Sequence, residues 1–277
     1  MANDSAQTHY HTSTNVVRAS FGADRMRAIL FYAAMTNFVK RVAPPRSDGP
    51  RTRLLDVGCG CGWSTSALAE EGYEATGIDL NPSAFEPTAA ANLTLREGSV
   101  LDIPFTDASF DLVVTYQCIE HVPSPLKALE EMIRVCRPGG TICVIGPNLV
   151  TPILPLVYLC NPANWRSIPL VRRPGLPRHP YGNTLGEIIA AIGLRSWQLL
   201  GKVIRQEPRF TMREPDVTPP FHSDNDACYL CNPSDLISFF HARGLTILRR
   251  GKYGRLPLSY LLAGGTWVAA RKPFTTA

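Results

Sequence analysis

The chain has 277 residues, of which 45% are apolar and 18% charged, which supports a packed core and excludes a disordered or fibrous protein. Its formal net charge of +5 permits weak attraction to anionic partners but does not mark a nucleic-acid binder, and no base-stacking motif accompanies it. No run of about 18 apolar residues is present, so no membrane span is expected.

The first fifteen residues are polar and lack the apolar core of a secretory leader, and residues 1–14 are expected to carry no regular structure. From Val16 to Val42 the pattern becomes helical, with Met26, Ile29, Leu30, Ala33, Ala34 and Phe38 at three- and four-residue steps. Pro44 and Pro45 stop that helix, and Arg46 to Arg53 reads as a linker.

Strands and helices then alternate. Arg53–Val57 reads as a strand entering a glycine-rich turn, Ser64–Glu71 as a helix, and Glu74–Leu80 as a second strand. Asn81-Pro82 reads as a helix start, with Asn81 able to cap. Leu93–Ser99 and Phe110–Tyr116 read as strands three and four. Ser124-Pro125 opens a helix that Arg137-Pro138-Gly139-Gly140 closes, and Thr141–Ile145 is strand five. The pattern breaks from Leu149 to Cys231, a proline-rich stretch with scattered arginines. It resumes at Asn232-Pro233 with a helix over Ser234–Ala242, ended by Gly244. Leu245–Leu248 and Thr266–Ala270 read as two closing strands. The order predicts an α/β fold, a doubly wound and mostly parallel sheet of seven strands. The expected organisation is a tail and helix (1–50), a nucleotide-binding core (51–148), a lid insertion after strand five (149–231) and a segment completing the core (232–277). Cys118, Cys136 and Cys143 fall in segments that read as buried, which predicts free thiols and a cytoplasmic location.

The first turn reads Asp56-Val57-Gly58-Cys59-Gly60-Cys61-Gly62. Glycines there let the backbone approach a ligand, and Asp79 at the end of strand two is placed for ribose hydroxyls. These features alone also suit a nicotinamide dinucleotide. The spacing, however, is G-x-G-x-G rather than G-x-G-x-x-G, and Asp56 is a poor neighbour for a pyrophosphate. A carboxylate there suits a cofactor carrying an ammonium and a sulfonium.

Leu54 to Gly62 resembles motif I of class I methyltransferases that use S-adenosylmethionine (SAM). The similarity continues through Gly77-Ile78-Asp79-Leu80, Glu97 to Phe105, Phe110 to Val114, Glu120-His121-Val122 and Arg134 to Gly140, covering about residues 50–148. The resemblance implies that Asp56, Gly58, Cys59 and Gly60 hold the methionine end of SAM. It implies that Asp79 holds the ribose, with Leu80 against the adenine and Ser99, Val100 and Leu101 lining its pocket. Tyr116 and Gln117 are then expected near the sulfonium. Ser99 stands where many relatives carry Asp; its hydroxyl can still accept a bond from the adenine amino group, or Asp102 can substitute.

Positioning supplies most of the rate of methyl transfer, and a base is needed only when the acceptor carries a proton. His121 follows strand four at the rim and is the leading candidate; the alternative is that it only orients a loop. Some similar enzymes read Glu-x-x-Glu-His and hold a divalent cation. The first position here is Gln117, so no metal is expected. Cys228-x-x-Cys231 lacks a second pair for zinc, and Asp224-Asn225-Asp226 resembles only a fragment of a calcium loop. In the insertion, Leu149–Cys160 is apolar, Pro152 and Pro155 disfavour a continuous helix, and Arg166, Arg172, Arg173 and Arg178 follow. These features read either as an apolar lid packed on the core or as the contact for a small-molecule acceptor, hydrophobic or lipid-linked, with peripheral membrane contact through the insertion. A catalytically silent module and a NAD-linked oxidoreductase are the competing readings.

Overall fold

The computed structural model describes residues 25–85, 90–160, 184–205, 208–215, 226–251 and 264–274. The expected tail at 1–14 and the first turns of the expected 16–42 helix lie outside them, as do Arg166, Arg172, Arg173 and Arg178. Helix α1 covers Arg25–Val42. Strand β1 (Arg53–Val57) leads to helix α2 (Trp63–Glu70), and strands β2 (Glu74–Asp79), β3 (Leu93–Glu97) and β4 (Phe110–Tyr116) follow. Helix α3 (Pro125–Val135) runs into β5 (Cys136–Pro147). Helices α4 (Ile153–Cys160), α5 (Leu185–Arg205) and α6 (Pro233–Ala242) precede β6 (Thr246–Arg250) and β7 (Gly265–Arg271).

Apolar side chains on the central strands alternate between the two faces of the sheet, as a period of two requires. Leu55, Val113, Ile142 and Val144 pack on one face with Leu129 and Met132 of α3 and with Leu236 and Phe240 of α6. Leu54, Leu112, Val114, Cys143 and Ile145 pack on the other with Met35 and Phe38 of α1 and Leu68 of α2. Both faces are covered, which is why these strands read as nearly continuous apolar runs.

The seven strands are ordered β3-β2-β1-β4-β5-β7-β6. Strands β1 to β5 run parallel, and β7 is antiparallel to both β5 and β6. The expected mostly parallel sheet of seven strands is therefore observed. The chain winds one way from β1 to β2 and β3 and the other way to β4 and β5. This opens a crevice at the carboxyl ends of β1 and β4, where such sheets bind ligands.

Four local expectations change. The helix expected at Asn81-Pro82 is, among the described residues, a 3₁₀ turn over Pro82–Ala84. Asn81 makes no cap bond to the backbone; its side chain accepts from Ser83 Oγ instead. Ser124 likewise sits at the start of α3 without a side-chain cap bond. Helix α3 ends at Val135, just before Arg137-Pro138-Gly139-Gly140 as expected, but strand β5 begins at Cys136 rather than Thr141, with a register shift across those residues. Pro155 does not prevent α4. It is the third residue of that helix, where a missing N–H has no intrahelical partner to lose.

Segment 149–231 also contains the 21-residue α5, which the proline-rich reading did not foresee. A reciprocal cap starts it: Glu187 N donates to Thr184 Oγ1 (3.2 Å) and Thr184 N donates to Glu187 Oε2 (3.2 Å). Near its end, Lys202 Nζ donates to both carboxylate oxygens of Asp235 in α6, at 2.9 and 2.7 Å, in a fully buried pair. Asp235 also accepts from Tyr229 Oη, Asn232 Nδ2 and Arg209 N, so its charge is well solvated by protein. Asn232, unlike Asn81 and Ser124, caps its helix through Asp235 N (3.0 Å).

Candidate cofactor and acceptor site

Strand β1 ends in the glycine loop, which is pulled against β2: Gly58 N and Cys59 N both donate to Ile78 O, at 2.9 and 3.0 Å. Gly58 has φ +74° and approaches the turn after β4 so closely that a Cβ there would lie 2.2 Å from Cys118 Sγ. Only glycine fits both conditions. The Cys59 side chain turns into the core beside Thr65 and Gly77, so only its backbone is available to a ligand.

Asp56 is completely buried. Its Oδ2 accepts from Ser64 Oγ (2.6 Å) and Thr65 Oγ1 (2.8 Å) at the start of α2, while Oδ1 has no hydrogen-bond partner. Burial pushes its pKa up to about 6 against the lowering effect of those two hydroxyls, and the negative Asp79 adds to the rise. A buried carboxylate with one oxygen unmatched is a fitting counterpart for an ammonium group. Asp79 is also buried; Oδ2 accepts from Gly60 N (2.9 Å) and Oδ1 from Asn81 N (3.1 Å). A carboxylate has about four acceptor sites, so capacity remains for hydroxyl donors.

The residues expected around the nucleoside come together at this edge. Gly98 N donates to Asp79 O (3.0 Å), which brings the loop after β3 beside the end of β2. Within that loop Ser99 Oγ accepts from Leu101 N (3.1 Å) and Ser99 bridges to Asp102. Val100 is buried, and Leu80 and Leu101 are half-buried. The Ser99 hydroxyl is thus engaged with its own loop, and its oxygen retains a second lone pair.

Strand β4 delivers the other wall. Gln117 N donates to Ile145 O (2.8 Å), closing the ladder, and Gln117 then adopts φ +52°. A non-glycine residue in that region costs about 1–3 kcal/mol, and such strain clusters at functional sites. The Tyr116 ring meets Tyr32 of α1 edge-on at 5.5 Å. Burial, reinforced by Glu120, pushes the Tyr116 phenol up to about 12, so it stays a neutral hydroxyl.

A 3₁₀ turn over Ile119–His121 follows. Glu120 is fully buried, and its backbone oxygen accepts from Cys228 N and Tyr229 N, both at 2.9 Å. Those bonds dock a short ribbon, in which Met212 bridges to Tyr229, onto the turn. The ribbon carries Asp226 to His121: Nδ1 lies 3.3 Å from Asp226 Oδ2, and Nε2 lies 3.8 Å from Glu120 Oε1. Burial raises the Asp226 carboxyl, but the His121 contact, its own backbone N–H and Arg213 together outweigh it and leave the group below the ordinary carboxylate range. Asp226 stood out in the sequence only as part of a calcium-loop fragment, whose other members lie outside the described residues. No local signal pairs it with His121. Among the described residues, no group of three His, Cys, Asp or Glu is placed to hold a metal ion. All eight cysteines are free thiols.

A doubly wound sheet with its switch point between β1 and β4, a G-x-G-x-G turn and acids at Asp56 and Asp79 defines the class I SAM-dependent methyltransferases. Residues 55–144 match the family model described as a methyltransferase domain. A methyltransferase of Mycobacterium sp. (strain JLS), itself uncharacterized, is 30% identical over 187 residues, 65% of this chain and 74% of that one. The norajmaline N-methyltransferase of Rauvolfia serpentina is 36% identical over 104 residues, 34% of this chain and 35% of the relative. A SAM-dependent methyltransferase structure from Thermotoga maritima superposes with a TM-score of 0.52 over 96% of this chain and 99% of that one, at 14% identity, a likeness of fold. The chain belongs to the methyltransferase-domain family and is an enzyme that uses SAM.

Proposed function

We propose that this enzyme methylates a proton-bearing group on a small acceptor that is hydrophobic or lipid-linked, with His121 as the base. The observation that carries the reading is the 3.3 Å contact between His121 Nδ1 and Asp226 Oδ2 at the rim of the crevice. With Asp226 beside Nδ1 favouring a proton there, Nε2 is left to take the acceptor's proton, and the carboxylates of Asp226 and Glu120 favour the imidazolium that results. Bound SAM supplies a methyl carbon already activated by its sulfonium. Asp56 and the backbone of Gly58, Cys59 and Gly60 hold its methionine end, and Asp79 the ribose. Leu80, Ser99, Val100 and Leu101 enclose the adenine, and Tyr116 and Gln117 flank the sulfonium. Segment 149–231 acts as the lid over this site and selects the acceptor. Its apolar α4 supports a hydrophobic acceptor, and the norajmaline-methylating relative supports a small one.

The test offers tritiated-methyl SAM with a total lipid extract and, separately, with the aqueous metabolite fraction. Label is expected in the organic phase; label confined to the aqueous fraction would overturn the apolar acceptor. His121→Ala is expected to lower turnover about 10²- to 10⁴-fold, and Asp226→Asn about 10- to 100-fold, with SAM affinity unchanged in both. Wild-type turnover in His121→Ala would remove the base.

A further inference from the structure

Helix α5 has two unlike faces. One is anchored: Ile188 is fully buried, Arg195 Nη1 donates to Thr151 O (3.4 Å), and Lys202 pairs with Asp235. The other carries Ile189, Leu194, Trp197, Leu200 and Ile204, all more than half exposed, with Trp197 at 74%. At about 100° per residue these five side chains fall within an arc of about 140°. The other positions in that arc are Gly186, Ala190, Gly193 and Gly201, with Ser196 just outside it. No charged residue interrupts the arc; Glu187 and Arg205 fall at its far edge, and the Glu187 carboxylate is engaged in the cap. Single exposed apolar residues are ordinary, but a continuous row along a helix about 31 Å long is not.

The charge around this helix is equally uneven. Residues 161–213 hold nine Lys and Arg against two Asp and Glu, whereas the rest of the chain holds nineteen against twenty-one. Even with Lys202 neutralised by Asp235, the positive excess of the protein thus lies in the stretch of sequence that leads into and out of α5. An uncharged apolar face on a helix flanked in sequence by basic residues matches the boundary between the headgroups and acyl chains of an anionic bilayer, where a tryptophan also sits well. The same charge opposes a second copy on this face, since each copy would bring its own positive excess. No described helix is long and apolar enough to cross a membrane, so the match is to lying on the surface.

We propose that α5 seats the enzyme on an anionic lipid bilayer, with its Ile189–Ile204 face immersed at the headgroup boundary. This inference stands apart from the acceptor assignment, and the test separates the two. Flotation with vesicles of equimolar phosphatidylcholine and phosphatidylglycerol is expected to carry the wild-type protein upward, and phosphatidylcholine vesicles to leave it behind. Trp197→Ser/Leu200→Ser is expected to reduce the vesicle-bound fraction about ten-fold while SAM binding and circular dichroism stay as in the wild type. Trp197→Phe should still float but lose the blue-shifted emission that vesicles induce. The inference is overturned if wild type ignores both vesicles, if the double variant floats equally well, or if light scattering shows a dimer that the double variant dissolves. Methylation of a lipid by a protein that never floats would sink this surface and leave the acceptor reading intact. Flotation with label only in water-soluble product would do the reverse.

Discussion

The two sides of the crevice are held by different kinds of bond. On the cofactor side, the loops after β1, β2 and β3 are tied by backbone donors to neighbours one strand away, as in Gly60 N to Asp79 and Gly98 N to Asp79 O. On the acceptor side, the ties join distant parts of the chain, and side-chain charges reinforce the backbone bonds from Cys228 and Tyr229 to Glu120: His121 to Asp226, and Lys202 to Asp235. The first arrangement fixes a site through strand order. The second leaves the site's shape to residues that can vary without disturbing the sheet, which suits a family with one methyl donor and many acceptors.

The contrast can be broken most forcefully at Lys202. Lys202→Met leaves the buried Asp235 carboxylate without its cation and is expected to cost about 3–5 kcal/mol of stability in denaturant titration. SAM affinity, measured where the variant is folded, should hardly move. A variant as stable as wild type would show that α5 is not anchored through this pair.

The second test is pH. The Asp56 pKa is raised to about 6 from an ordinary 3.8, so between those values the folded state binds more protons than the unfolded chain, and stability falls as pH rises through this window. The group therefore costs the SAM-free fold up to about 3 kcal/mol above pH 6. Asp111 works in the opposite sense. Burial raises its carboxyl, but the Arg53 N–H, Arg137 and Arg46 outweigh it and hold the group low. The difference between Asp56→Asn and wild type isolates the Asp56 contribution. The variant is expected to gain stability relative to wild type as pH rises from about 4 to 7. SAM affinity of the wild type should fall below pH 6, while that of the variant stays flat and weaker throughout. A pH-independent stability difference would refute the assignment.

The smallest expected effect sharpens the cofactor side. Asp79→Ala removes the acceptor of Gly60 N and, on the proposed reading, of the ribose hydroxyls, and calorimetry should show SAM binding weakened by about 1–3 kcal/mol. Unchanged affinity would move the ribose contact elsewhere.

The same division explains what could be read before any coordinates. The glycine loop, Asp56, Asp79 and the strand order were legible because each depends on residues a few positions apart in a strand–turn–helix unit. The cap at Asn232 was legible for the same reason, while Asn81 and Ser124, both capping residue types followed by the same proline, make no cap bond to the backbone. Capping depends on the backbone angle at which the chain enters, which residue identity does not encode. Asp226 was invisible because its meaning comes from a partner far back in the chain. Helix α5 carries a start signal in Thr184-x-x-Glu187, which the proline-rich reading passed over. Its apolar residues, however, lie on both the packed and the exposed face, so no single stripe marked its period.

The Lys202–Asp235 pair has a geometric corollary. It rivets α5 to the first turn of α6, and α6 lies along β6 and β7. The exposed row therefore keeps a constant tilt to the sheet, and the mouth between β1 and β4 keeps a constant height above whatever plane that row rests on. Such an enzyme would be aimed as well as moored, and a molecule presented from that plane would meet the methyl donor from one bearing only.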